Sequence, residues 1–98
     1  MKKLSSKQIQ FLRGRAHKLS PVVTVGQHGV TEPVLRELEL TIRHHELIKV
    51  KLRCDNQTEL LDLIGSITEN VKAVLVQVIG HIAVFYRPSP EGKIVVPA

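Results

Sequence analysis

Residues 26 to 29 read Gly-Gln-His-Gly, with an apolar run before them and the sequence Thr-Glu-Pro shortly after them. The apolar run is typical of a buried strand, and a proline in the first turn is typical of a helix start. Because the first N–H groups of a helix lack internal partners, an anion can bind beside them. Glycine lets such an anion come close and also permits a positive φ. The segment indicates an anion-binding loop, although a tight turn that needs only one glycine remains an alternative.

The excess of positive charge lies in the first third of the chain. The net charge is +5, yet every charged residue before position 32 is basic, whereas the remainder carries eight basic and nine acidic residues. An excess on one side indicates a polyanionic partner such as nucleic acid. A solvated basic face without a partner is the alternative. The residues concerned are Lys2, Lys3, Lys7, Arg13, Arg15 and Lys18.

Length and composition predict one globular domain over residues 1–98, since 43% of these residues are hydrophobic. No apolar segment of signal-peptide length follows Lys2 and Lys3, and nowhere do about 18 apolar residues run together. We therefore expect a cytoplasmic protein without a membrane span, and a monomer when free. Cys54 is the single cysteine, so an internal disulfide is excluded.

Local patterns predict seven elements in the order α-β-α-β-α-β-β. Strand-helix-strand crossovers then imply an α/β fold of two layers, a mixed four-stranded sheet with three helices packed mainly on one face. The predicted elements are a helix from about Ser6 to His17, a strand over Val22 to Val25, a helix from Thr31 or Glu32, a strand around residues 48–53, a helix opened by Asn56 and ended near Asn70, and two strands joined by Gly80-His81.

Alternation predicts which side chains face the core. In the second strand Ile48, Val50, Leu52 and Cys54 share one phase, and Lys49, Lys51 and Arg53 share the other. The third helix should turn these residues inward: Leu60, Leu61, Ile64, Ile67 and Val71. The two final strands are apolar on both phases, so something must cover their second face. The tail should be loop, with a short edge strand at Ile94 to Val96 as an option.

A Gly-x-x-Gly loop beside a basic helix is the pattern of loops that clamp a nucleic-acid backbone. Aromatic residues make up only 3% of the chain, which favours recognition of shape and backbone over base stacking. Outward lysines on an amphipathic strand are also ordinary, so the strand residues are weaker candidates. The predicted RNA-binding residues are Lys7, Arg13, Arg15, Lys18, Gly26, Gln27, His28, Gly29, Lys49 and Lys51, with Arg53 as a further candidate.

Enzyme chemistry is not indicated. No Gly-Lys-Ser/Thr follows the loop, no acidic pair is placed for magnesium, and no nucleophile, base and orienting group stand together. His44 and His45 are adjacent on a helix, so they point about 100° apart and lack the spacing of a chelating pair. A solvent-exposed place at a helix C-terminus is the favoured interpretation of these histidines. We predict a protein that is not an enzyme and that needs no cofactor and no metal.

Three stretches resemble a known family: "KQIQFLRGRAHKLSPVVTVGQHGVTEPVLREL", "HHELIKVKL" and "VQVIGHIAVFYRP". They look like the CRM domain, the chloroplast RNA splicing and ribosome maturation family, and in particular its stand-alone bacterial YhbY-type members. The resemblance implies an RNA-binding domain with a fold similar to the C-terminal domain of bacterial translation initiation factor three. It also implies association with precursors of the large ribosomal subunit, whose RNA would be the partner, and a role in ribosome assembly.

The family's glycine pair falls on Gly26 and Gly29, and its variable middle pair falls on Gln27 and His28. This middle pair brings no fixed positive charge, so the phosphate contact would depend on backbone N–H groups, the helix end and neighbouring lysines. A protein interaction module, with its basic face on an acidic ribosomal or assembly protein, is the alternative function.

Overall fold

The computed structural model describes residues 3–98 and contains three helices and one four-stranded sheet. Met1 and Lys2, the latter one of the basic residues of the first third, lie outside the described residues. The predicted order of elements is confirmed. They are α1 (Ser6–Ala16), β1 (Pro21–Val25), α2 (Glu32–His45), β2 (Leu47–Leu52), α3 (Gln57–Val71), β3 (Val74–Ile79) and β4 (Ile82–Tyr86).

The sheet is mixed, as predicted, and its strand order is β1-β2-β4-β3. β1 and β2 run parallel because α2 crosses over between them, and β4 is antiparallel to both β2 and β3. Gly80 begins the β3–β4 turn with a φ of +59°, the sign that the first position of a type II′ turn requires. β1 is therefore an edge strand, and it leads directly into the Gly-x-x-Gly segment.

The start of α1 is fixed by its own side chains. The Ser5 hydroxyl accepts from the Gln8 N–H at 3.2 Å, and the Gln8 side-chain oxygen accepts from the Ser5 N–H at 2.9 Å. This is the predicted capping box, worth about 1 kcal/mol in helix stability. Its consequence is a rigid first turn, which holds Lys7 at a defined place on the surface.

α3 differs from its prediction at two positions. It begins after the N-cap Asn56, as predicted, but it ends at Val71 rather than at Asn70, with Lys72 in a left-handed conformation at φ +56°. Leu61, predicted to face inward, is 57% exposed. Successive helical residues point about 100° apart, so Leu61 turns away from the stripe that its buried neighbours form.

α2 and α3 pack on the same face of the sheet, which we call the α2/α3 face. Phe85 is the largest fully buried side chain there, and each fully buried aliphatic or aromatic residue contributes about 1.5–3 kcal/mol. Cys54, predicted to be a core residue, is partly buried against this core just beyond the end of β2. Because Ile48, Val50 and Leu52 face this core, Lys49 and Lys51 must project from the opposite face.

α1 lies on that opposite face, which we call the α1 face. Leu12 and Ala16 are buried there against Leu47, Val84 and Tyr86. Two helices share one face, as the two-layer prediction has it, and α1 adds a partial third layer. α1 covers the second face of the β3–β4 hairpin. Both faces of this hairpin carry apolar residues, and the sequence therefore predicted that something must cover the second one.

The C-terminal tail also packs on the α1 face. Ile94 and Val96 join the α1 core without strand pairing, so the optional edge strand at residues 94–96 is wrong. The Gln8 side chain donates to the Pro97 carbonyl at 2.9 Å, which ties the tail to α1. The tail is thus an ordered strap across the end of the sheet where β2 begins.

Candidate nucleic-acid interface

The Gly-x-x-Gly loop, residues 26–29, is a tight turn at the end of β1. The Gly29 N–H donates to the Gly26 carbonyl at 3.0 Å, and Gln27 and His28 are exposed at the tip. Gly29 has a φ of +77°, a conformation that side chains rarely adopt. The fold itself therefore requires a glycine at position 29.

Gly26 has no such structural requirement. Its φ lies outside the left-handed region, and a Cβ built on it would meet no atom within 4 Å. A side chain at this position would instead project into the open space in front of the loop. The turn explains one glycine of the pair, and the missing side chain of the other leaves its backbone open to close approach.

The start of α2 offers fewer donors than the sequence suggested. Thr31 caps the helix: its hydroxyl accepts from the Val34 N–H at 3.5 Å, and its carbonyl accepts from the Leu35 N–H at 2.9 Å. Pro33 has no N–H, and Glu32 places a carboxylate in the first turn. An anion at this loop would therefore depend on the N–H groups of the loop itself.

The two sides of the loop differ in charge. Toward α3 the loop glycines share a cleft with Glu59, Asp62 and Arg53, which leaves one net negative charge to repel a phosphate. Toward the sheet, Gln27 shares a pocket with Lys51, Arg53 and His81, and the acidic residues Asp55 and Glu59 also line it, so its fixed charges balance. A polyanion would reach the loop from the side of β2 and the hairpin turn.

The basic residues of α1 point in two directions. Lys7, Arg15 and Lys18 are exposed, and the Arg15 guanidinium lies 5.9 Å from the centre of the Phe11 ring. Arg13 is also exposed, but its Nε lies 3.5 Å from the carbonyl oxygen of Val76 on β3, the far edge strand. The structure therefore separates Arg13 from the other predicted residues of this helix.

Arg15 and Lys18 border a groove of about 520 Å³ at the end of the sheet where β1 and β2 begin, which we call the basic groove. Every ionisable side chain that lines it, among the described residues, is basic. Its lining residues are Arg15, Lys18, Leu19, Ser20, Val22, His44, His45, Leu47, Ile48, Lys49, Lys93 and Ile94.

Lys49 and Lys51 connect the basic groove to the loop. Lys49 lines the groove, and Lys51 lines the pocket beside Gln27. Residues two apart on a strand share a face about 6.6 Å apart, so these two lysines continue the positive charge along β2. We call this path, from the groove through Lys49 and Lys51 to residues 26–29, the basic track. It includes all the predicted site residues except Arg13 and Lys7. Lys7 is exposed in the first turn of α1, at the opposite end of that helix from Arg15.

Three ionisable residues of the groove were not predicted as site residues: His44, His45 and Lys93. The two histidine rings meet edge to face with centroids 4.9 Å apart, at the C-terminal end of α2 as predicted. The Lys93 ammonium donates to the His44 carbonyl at 2.7 Å and so sits beside that helix end. The basic last turn of α2 could have suggested the histidines, whereas nothing local brings Lys93 to residues 49 positions earlier.

Glu46 holds Lys93 in place. This glutamate is fully buried with φ +67°, and its carboxylate accepts from the backbone N–H of Lys93 at 2.8 Å, the N–H of Ile94 at 3.1 Å and the Ser89 hydroxyl. Burial alone would raise the pKa of Glu46, but these hydrogen bonds outweigh it and lower that pKa. The strap that walls the groove is therefore attached through an ionised, buried carboxylate.

An ion pair links the middle of α2 to the end of β4. The Arg87 guanidinium makes two hydrogen bonds to Glu39, at 2.9 and 2.7 Å, and a third at 2.8 Å to the Val71 carbonyl. The hydrogen bond from Arg87 is the main reason that the pKa of Glu39 is lowered. This pair joins α2, α3 and the end of β4, and it takes Arg87 out of the set of cations available to a ligand.

Residues 3–98 contain neither a cluster of metal-ligating side chains nor a helix that could cross a membrane. Within this range, no group of three or more His, Cys, Asp or Glu side chains is arranged to hold a metal ion. None of the helices α1 to α3 combines the length and the apolar character that crossing a membrane requires.

Known proteins are similar to this chain in sequence and in fold. The CRS1 / YhbY (CRM) domain family matches residues 4–87. A Haemophilus influenzae protein named RNA-binding protein is 54% identical over 99% of this chain and 98% of its own length. A Bacillus subtilis protein named probable RNA-binding protein YqeI is 33% identical over 92% of this chain and 94% of its own length.

A solved structure has the same architecture. The solution structure of a Staphylococcus aureus protein superimposes with a TM-score of 0.84 and 35% sequence identity, covering 97% of this chain and all of that one. With a family match over nearly the whole sequence and a shared fold, the chain belongs to the CRS1 / YhbY (CRM) domain family.

Proposed function

We propose that this protein binds RNA in the cytoplasm as a single-domain monomer, with the RNA backbone lying along the basic track. The observation that carries the proposal is the track itself: Arg15, Lys18, Lys49 and Lys51 lead to a loop whose Gly26 leaves its backbone open to a ligand. Lysine and arginine neutralise phosphates, and backbone N–H groups fix the position of the strand. The names of its family relatives support RNA as the ligand.

The partner that we propose is ribosomal RNA in precursors of the large subunit, which the protein would assist in assembly. This proposal extends the family resemblance, and the exposed positive charge fits it, since the phosphate backbone of rRNA is a polyanion. No chemical step is assigned to the track, because it contains cations and glycines but no activated nucleophile with a base beside it.

Affinity for a ribosomal RNA fragment tests the proposal directly. If about four phosphates are contacted, log affinity should fall against log salt with a slope near 3, which costs about 50-fold to 100-fold between 50 and 200 mM salt. Fluorescence anisotropy over a salt series measures this slope. An affinity that does not change with salt would contradict binding through the track.

Co-purification with nuclease treatment tests the partner. We expect the tagged protein to sediment with large-subunit precursors and to leave them when their RNA is digested. Retention of a bound protein after complete digestion would instead support docking on an acidic assembly partner. Crosslinking in cells, followed by sequencing of the attached RNA, would then identify the bound site.

A further inference from the structure

We propose that the basic groove seats one unpaired nucleotide of the bound RNA, with its base on an aliphatic floor and its phosphates on the basic rim. This inference rests on the proposed RNA binding and adds to it that part of the bound RNA is single-stranded. It differs from a purely backbone-reading surface, because the groove would select single-stranded segments over a continuous duplex.

The floor of the groove is apolar and open. Leu19 and Val22 are 38% and 47% exposed, and Leu47 and Ile94 complete the floor between β2 and the tail. The volume of about 520 Å³ falls within the range of small-molecule sites, which combine apolar walls with a few polar groups. Lysine and arginine alone would need no such floor, so the floor indicates a ligand with an apolar surface of its own.

The rim supplies charge of one sign. Arg15, Lys18 and Lys49 border the floor, together with Lys93, whose ammonium already donates to the His44 carbonyl and lies 3.7 Å from the Glu91 carboxylate. Among the described lining residues there is no acid to oppose a phosphate. A nucleotide is a ligand that joins a flat base to an anionic phosphate, which matches this combination. A protein segment with an apolar side chain would need a carboxylate beside it to use the same rim.

Phe85 and Tyr86 are closed to a base, and Phe11 is only partly accessible, in a neighbouring pocket that it shares with Arg15, Lys18 and Leu19. Phe85 and Tyr86 are buried beneath the two layers of helices, and Phe11 is partly buried beneath Arg15. Aliphatic side chains and the imidazoles of His44 and His45 are therefore the surfaces that a splayed base can contact in this groove. Bases splayed out of a helix are what proteins read in single-stranded loops and bulges.

Three labelled RNA probes test the base seat by anisotropy on the wild-type protein. They are a single strand of about ten nucleotides, in the size range of single-strand sites, the same strand with abasic residues at its centre, and a blunt duplex of that sequence. A base contact of ordinary strength predicts that the abasic strand binds at least about fivefold more weakly than the intact one. The duplex should also bind more weakly than the intact strand.

A matched pair of variants locates the effect. Leu19→Gln with Val22→Thr makes the floor polar without changing charge, and it should weaken the intact strand about fivefold or more while leaving the abasic strand unchanged. Leu40→Gln with Val78→Thr makes the same substitutions at exposed positions away from the groove, and it should leave both probes unchanged. The wild-type comparison of probes holds even if the groove variant folds poorly.

Two results would overturn the base seat: equal affinity of wild type for the intact and abasic strands, or a duplex bound as tightly as the single strand. If either result came with a steep dependence of affinity on salt, the proposal that RNA binds along the basic track would still hold, and only the proposed contact with a base would be wrong. If no probe bound at any salt concentration, the proposed function would fail together with this inference.

Discussion

At one end of the basic track the ligand would meet backbone, and at the other end it would meet side chains. The loop offers the backbone N–H groups of its exposed tip, Gln27 and His28, because the Gly29 N–H already donates to the Gly26 carbonyl, and this tip carries no fixed positive charge. The groove offers four lysine and arginine side chains together with two histidines. Backbone donors position a phosphate, whereas cations release counterions and provide salt-dependent affinity. The two ends should therefore respond differently to mutation and to salt.

The largest effect should come from the groove charges. Arg15→Gln, Lys18→Gln and Lys49→Gln together should weaken binding of single-stranded RNA roughly 100-fold at 0.1 M salt, because each lost contact removes about 0.7 from the salt slope. Salt-dependent anisotropy measures both quantities.

The matched control removes the same charge from exposed positions off the track: Arg13→Gln, Arg36→Gln and Lys72→Gln. Its affinity should stay within about threefold of wild type, and its slope should not change. Equal losses in both triple variants would mean that general attraction, and not the track, holds the RNA.

Glu46→Gln should destabilise the groove end of the basic track and leave the loop end unaffected. An amide in place of the carboxylate turns a donor toward the N–H groups of Lys93 and Ile94, which should cost about 2 kcal/mol and lower Tm by about 8 to 16 °C. The groove should lose affinity because its wall loosens, and the loop should keep its conformation. Thermal unfolding and backbone NMR shifts measure these changes.

The Glu46 carboxylate gives the stability of the wild-type protein a defined pH dependence, which Glu46→Gln should lack. The folded-state pKa of Glu46 lies below its ordinary value of 4.5, so the stability it contributes is present above pH 4.5 and is lost as pH falls through the folded-state pKa. Wild type should therefore lose more stability than Glu46→Gln when the pH is lowered from about 6 to about 3. Parallel loss in the two proteins would show that this carboxylate does not hold the strap.

Gly26→Val should act on the loop end without changing charge. A branched side chain in the space in front of the loop should weaken RNA binding about tenfold, equal to about 1.4 kcal/mol, and leave the salt slope unchanged. Gly65→Val is the matched control, since Gly65 is exposed on α3 and a Cβ added there would also meet no atom within 4 Å. A normal affinity in folded Gly26→Val would remove the loop from the interface.

The smallest effects should distinguish the two glycines in the absence of RNA. Gly29→Ala should destabilise the fold by about 1 kcal/mol because of its positive φ. Gly26→Ala should leave stability unchanged or raise it by about 0.5 kcal/mol, since alanine restricts the unfolded chain. Urea unfolding measures both, and equal destabilisation would mean that the turn requires both glycines.

Features that depend on near neighbours could be predicted from the sequence. The capping box of Ser5 and Gln8 and the turn at Gly80 involve residues at most three positions apart, and the structure has both. The alternation of β2 placed Lys49 and Lys51 on one face correctly, because the period of a strand is fixed by its backbone. The RNA-binding role of these residues stays a prediction.

Features that depend on docking could not be predicted in the same way. Arg13 and Arg15 are two residues apart and hence about 200° apart on α1, so one turns toward β3 and the other toward the groove only after α1 docks on the sheet. The charge pattern is the same whichever edge each residue reaches. Likewise, the burial of Glu46 depends on N–H groups 47 and 48 positions away, and a lone glutamate after two histidines gives no sign of it.

The contacts of α1 also set the order in which the molecule can be completed during synthesis. Leu12 and Ala16 pack on Val76, Val84 and Tyr86, which leave the ribosome about 60 to 70 residues later, or several seconds at ordinary elongation rates. Until then the apolar side of α1 has no sheet to cover it, and Glu46 has no tail to bind. A nascent chain that has already displayed every residue of the Gly-x-x-Gly loop would therefore still lack the groove, whose wall includes Lys93 and Ile94, so the two ends of the track are present together only after these tail residues have been synthesised.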